Sequence, residues 1–120
     1  MRRESRLFVE DMLKSARRIM DEAAGVNLSR LQTDLGLQET VLWNLHVIGE
    51  AVRNIPVALR AQYGFVEWRK AAAMRNKVIH DYFGIDWEIV LDTICEHLPH
   101  LVAELDRLLA EMSSTTEGEQ

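Results

Sequence analysis

The sequence predicts an all-α protein: an up-and-down helical bundle of four main helices with short helical pieces between them. Three observations carry that prediction. Apolar residues recur at intervals of three and four along most of the chain, the period of a helix that buries one face. No run alternates apolar and polar residues between turn signals, as a half-buried strand would. The strongest breakers, Gly25, Pro56 and Gly84, fall between the periodic segments.

The first helix is predicted from about Glu4 to Ala24, with Phe8, Met12, Ala16, Ile19, Met20 and Ala23 on one stripe, and Gly25-Val26-Asn27 stops it. Between Leu28 and Gly36 a short helical turn capped by Ser29 is expected, with Gly36 as its breaker. The second helix, about Leu37 to Asn54, repeats Val41, Leu45, Ile48, Val52 and Ile55, a seam for neighbouring helices. Pro56 ends it, because proline cannot donate to the ladder and forces its predecessor out of helical geometry. A short piece at Val57 to Gln62 and a turn at Tyr63-Gly64 lead to a third helix, about Glu67 to Phe83, which Gly84 terminates. Asp86 reads as the N-cap of a fourth helix reaching Glu96, and Pro99 as a first-turn residue of a fifth, with Leu101, Val102, Leu105, Leu108 and Leu109 inward. Residues 1–112 form one domain in this reading. The run 113–120, rich in Ser, Thr, Glu and Gly, has nothing to bury and is expected to be a disordered tail.

Composition narrows the function. With 48% hydrophobic and 28% charged residues, 120 residues can bury a core without staples. No apolar run approaches the roughly 18 residues of a membrane span, and the N-terminus lacks a signal-peptide core, so a cytoplasmic, non-membrane protein is expected. Cys95 is the only cysteine, which excludes an internal disulfide and predicts a small buried apolar residue. A net charge of -5 argues against a non-specific coat for nucleic acid. The distribution differs from the sum: from Arg53 to His80 the charges are Arg53, Arg60, Arg69, Lys70, Arg75 and Lys77 against Glu67 alone.

That basic third holds the densest reactive chemistry, in the run from Met74 to Gly84. Arg75 offers a planar fork for two phosphate oxygens and stays protonated. His80, placed at a helix C-terminus, is favoured as imidazolium and suits proton donation near neutral pH. Asn76 can orient His80 or bond a ligand. Cleavage of a phosphodiester asks for one group to take a proton and another to supply one, while the motif holds a single histidine. A two-fold dimer with third helices facing would complete the set. With RNA an internal 2′-hydroxyl can attack, so no metal and no cofactor is expected.

The stretch from Ile48 to Asp86 resembles the HepT toxins, the minimal members of the HEPN superfamily. The resemblance rests on Ile48-Gly49-Glu50-Ala51, Ile55-Pro56, Trp68-Arg69 and Met74-Arg75-Asn76, leading to His80-Asp81-Tyr82-Phe83-Gly84-Ile85-Asp86. It implies a homodimeric helical bundle and a metal-independent ribonuclease, the toxin of a type VII-like toxin–antitoxin system. It also implies Arg75 and His80 as the catalytic pair, and Tyr82 as the residue adenylylated by a partner nucleotidyltransferase of the MntA type. An AMP group two residues from His80 would add bulk and negative charge where RNA phosphate enters. Asn76 and Glu50 are supporting candidates, and Lys77, Arg53, Arg69 and Lys70 are candidates for RNA contact. The alternative is a non-catalytic nucleotide-binding or scaffold subunit of a nucleotidyltransferase complex.

Glu50 has two readings of equal weight, a partner for Arg75 or an ordinary intrahelical contact with Arg53. Gly49, costly in mid-helix, points to close helix packing. His97 and His100 flank Pro99, which is expected to break the helix between them, so they read as surface residues rather than metal ligands with Cys95. Trp43, Trp68 and Trp87 could stack on bases, but core or dimer-interface packing is the expectation for all three.

Overall fold

A computed structural model of the chain describes residues 3–76 and 84–118, with side chains over 4–76 and 84–113. Among the described residues every regular element is helical. Helix α1 spans Arg3–Glu22 and buries Val9, Met12, Ala16 and Ile19 completely, positions spaced three, four and three apart on one face. Gly25 then takes φ 69° with open space around it, the left-handed step that a glycine makes without steric cost.

Helix α2 covers Leu28–Thr33 and is capped by Asn27, whose Oδ1 accepts from the Arg30 N–H at 2.8 Å. Ser29, the predicted cap, lies inside the first turn; Asn27 precedes the helix and is the residue whose side chain can reach back into it. Helix α3 spans Leu35–Arg53. Gly36 does not break the chain but sits in the first turn of α3, because Asp34 closes α2 and caps α3 at once, accepting from the Leu37 N–H at 3.0 Å. That hydrogen bond, with help from Arg30, holds the Asp34 carboxyl below the usual carboxylate range.

Helix α3 is the central post. It packs against α1 on one side and α5 on another, and Val41, Leu45 and Ile48 are fully enclosed, with Val52 nearly so. Pro56 ends the segment as predicted and sits as N-cap of α4, Val57–Gln62. Trp68 joins α4 to the next element: its ring is buried and its Nε1–H is shared between the carbonyls of Arg60 and Tyr63, each at 3.0 Å. A buried indole needs such an acceptor.

Helix α5 is shorter than the sequence predicts, covering only Trp68–Ala73. Met74 and Arg75 form a turn before Asn76 resumes helical geometry. The Met74 N–H reaches the Ala71 carbonyl at 3.3 Å, the tighter i to i−3 pattern. The N-terminus of α5 has no side-chain cap of its own; the Glu67 N–H donates instead to Glu104 Oε1 at 3.2 Å.

Helix α6 covers Trp87–Asp92 with Asp86 as its cap, accepting from the N–H groups of Glu88 and Ile89 at 3.0 and 3.4 Å. The predicted break at Pro99 does not occur. Residues Thr93–His97 form a π-helical turn that runs straight into α7, Leu98–Gly118, with the Leu98 N–H bonded to the Thr93 carbonyl five residues back. A proline inside a helix lacks a donor and crowds the carbonyl four residues earlier. The π turn widens the helix around Cys95, the residue whose carbonyl the Pro99 ring would crowd. It also turns Cys95 out to solvent, against the expectation of burial. At the other end, α7 continues to Gly118 where composition predicts a disordered tail from Ser113; neither glycine nor proline lies between 112 and 118 to interrupt the ladder.

Candidate functional site

The sequence placed Arg75 on a helix face; the structure places it in the turn after α5, pressed against α3. The contact is made possible by Gly49. A Cβ at that position would collide with Arg75 Cβ and come within 2.9 Å of the Arg75 nitrogen and 3.1 Å of the Ala72 carbonyl oxygen. Only a residue without a side chain lets the two backbones meet, so the helix-propensity cost of glycine is offset by the approach it permits.

The next residue of α3 supplies the counter-charge. Glu50 Oε1 lies 2.7 Å from Arg75 Nε and 3.6 Å from Arg53 Nη1. Both readings of Glu50 therefore hold, with Arg75 the closer partner. Arg75 Nε is shielded from solvent, and among the described residues no acceptor lies in line with its N–H. The 2.7 Å approach thus acts as charge attraction rather than as an aligned hydrogen bond. With the side chains of Arg75 and Glu50 29% and 36% exposed, the pair is open enough for Arg75 to meet a further anion. Among the described residues two guanidinium groups share this one carboxylate, an excess of one positive charge.

The remaining candidates fall in three places. Asn76 follows Arg75 and is exposed. Lys77, His80 and Tyr82 lie outside the described residues. Arg69 is exposed, and Lys70 points away from Glu50, pairing with Glu67 at 2.7 Å. The basic third is therefore not one surface: Arg53 and Arg75 converge, while Lys70 belongs to the opposite flank of α5.

That flank encloses a cavity of about 250 Å³ lined by Glu67, Lys70, His97, His100 and Glu104 among others. The hydrogen bond from Lys70 holds Glu67 below the usual carboxylate range, and Glu67 in turn raises Lys70. Burial pushes Glu104 the other way, upward, against the lowering effect of the Glu67 N–H. His97 and His100 share this cavity because the π turn keeps the helix continuous through Pro99. Among the described residues no three His, Cys, Asp or Glu side chains are grouped to hold a metal ion. No described helix is long and apolar enough to cross a membrane.

The tryptophans separate as well. Trp68 is core, and Trp87 is half-buried against the core. Trp43 is 65% exposed and rests against the His46 ring, centroids 5.7 Å apart. The sequence offered a signal for this: Trp43 lies off the seam of Val41, Leu45, Ile48 and Val52.

Residues 12–108 match the family model described as Ribonuclease HepT-like. A Methanocaldococcus jannaschii protein named "Putative RNase" is 31% identical over 117 residues, covering 98% of this chain and 97% of its own length. A Caldanaerobacter subterraneus protein of the same name is 31% identical over 104 residues, 87% of this chain and 93% of that one. A Thermococcus cleftensis protein named "Probable ribonuclease HepT" is 31% identical over 108 residues, 90% and 98% respectively. No solved structure matches the chain.

Proposed function

Because the chain belongs to the HepT-like ribonuclease family, we propose that it is the toxin of a type VII-like toxin–antitoxin pair, cleaving RNA without a metal at a site shared by two copies. The family supports ribonuclease chemistry in general. The observation that carries the finer reading is the seat of Arg75: a glycine that admits its backbone and a glutamate that holds its guanidinium.

In this reading an RNA phosphate joins Glu50 as a second counter-ion of Arg75, whose terminal amino groups spread over two phosphate oxygens while Glu50 stays at Nε. The 2′-hydroxyl of the preceding ribose attacks phosphorus and loses its proton to one histidine. The bond to the leaving 5′ oxygen breaks, and that oxygen receives a proton from a second. One chain supplies one such group, His80. A two-fold pairing supplies both, each copy contributing Arg75, Asn76 and His80. Tyr82 is the regulatory position, and an adenylyl group added there by a nucleotidyltransferase antitoxin brings bulk and negative charge to the phosphate entrance.

Expression of wild type and His80→Ala, each with and without the nucleotidyltransferase, tests the proposal. Growth arrest and RNA loss in chelator-treated extracts are expected for wild type alone. Equal growth and intact RNA in every arm would overturn the toxin reading and favour a scaffold that binds its partner without cleaving.

A further inference from the structure

Helix α3 carries a second line of chemistry that leads to Arg75. Trp43, His46, Glu50 and Arg53 stand at intervals of three, four and three, one stripe of the helix. The contacts confirm the stripe at both ends: Trp43 lies against His46, and Glu50 against Arg53 and Arg75. From Trp43 to Glu50 the helix rises about 10 Å, a distance that a short single strand of RNA bridges while its phosphate sits at Arg75.

Trp43 is also the apolar wall of an open groove of about 630 Å³ between α1 and α3. Lys14 and Arg18, four apart on α1, line the same groove. Among the described residues neither has an ion-pair partner, whereas Arg6, Arg17, Arg30, Arg53, Lys70, Arg75 and Arg107 each have one. Asp11 and Glu39 also line it, so the groove as a whole carries no cationic excess and is unsuited to gripping a duplex along its backbone. An exposed indole beside two uncommitted cations suits one unpaired base with its adjoining phosphate.

We infer that Trp43 is a stacking platform for an unpaired RNA base flanking the cleaved phosphate, with Lys14 and Arg18 contacting the neighbouring phosphate. The inference rests on the ribonuclease reading for the identity of the strand, and it adds a positioning site outside the Arg75 junction. It makes the protein selective for single-stranded RNA, since a paired base has no free face for the indole.

The test uses the full chain and a fluorescein-labelled 2′-O-methyl oligoadenylate, which binds but lacks the attacking hydroxyl. Trp43→Ala is expected to weaken binding about tenfold, in line with the loss of one base–aromatic stack. Trp43→Phe, which keeps a ring, is expected to bind nearly as wild type, and the sedimentation mass of all three proteins should be the same. Unchanged affinity in Trp43→Ala overturns the platform. So does a fall in mass, which would make Trp43 a contact between copies. Failure of the underlying reading looks different: unmodified RNA would stay intact with the wild type itself, whatever Trp43 does to affinity.

Discussion

The two flanks of α5 hold charge in different ways. On the α3 side, Arg75 is positioned by steric fit: Gly49 admits its backbone, and Glu50, shared with Arg53, holds its guanidinium. On the α7 side, Glu67 and Lys70 form an exposed pair, and burial raises the neighbouring Glu104 carboxyl. The first flank depends on a contact that no side chain other than hydrogen can make. The second depends on charges that solvent screens and replaces at small cost. A site that must hold one cation in one place is built the first way, and a surface that must stay soluble the second.

Substitutions should expose that asymmetry, beginning with Gly49. Gly49→Ala improves local helix propensity yet forces α3 and the Arg75 turn apart. A stability loss of about 1–3 kcal/mol is expected from the overpacking, read as a lower urea midpoint, together with loss of RNA cleavage. A midpoint at or above wild type would show that the close approach is not obligatory.

Glu50→Gln keeps the shape and removes the charge. Because the pair is about a third exposed, its stability should fall by less than about 1 kcal/mol. Steady-state cleavage should show a lower kcat from a less restrained Arg75, with KM unchanged or lower because a competing anion is gone. A rise in KM with kcat untouched would make Glu50 a substrate contact instead.

On the α7 flank, Glu104→Gln should change the pH dependence more than the stability itself. The folded state raises the Glu104 pKa. Its favourable contribution is therefore present below the unfolded value and is lost as pH rises through the folded one. Wild type should lose a little stability over that rise, and Glu104→Gln should lack that loss, with a net effect at neutral pH within about 0.5 kcal/mol. Urea titrations across the mildly acidic range read both. Smallest of all, a double-mutant cycle on Arg17 and Asp106, an exposed pair at 2.9 Å, should return a coupling below about 1 kcal/mol.

Much of the fold was legible because it rests on local rules: the seam of α3, the stop at Pro56 and the cap at Asp86 each follow from one residue and its neighbours. What was not legible depended on partners distant in sequence or on longer-range backbone adjustment. The Met74–Arg75 turn interrupts α5 where the chain presses on Gly49 of another helix. Pro99 looks like a helix start by itself, and only the π turn at Thr93–His97 lets the helix pass through it. At the site, the choice between Arg53 and Arg75 for Glu50 was open in the sequence because helical spacing favours one and proximity in the fold the other. Of the two places expected for Trp43, core or dimer interface, the fold removes the first, as its position off the α3 seam already indicated.

The central claim is that the Gly49–Glu50 seat holds Arg75 as the phosphate-binding group of a metal-independent ribonuclease. Cleavage of single-stranded RNA by the purified full chain in excess chelator, comparing wild type with Arg75→Ala at matched folded fraction, tests it most directly. The account predicts a loss of about 100-fold or more, as expected when a preorganised charge on the reacting phosphate is removed. Wild-type rates in Arg75→Ala would contradict it.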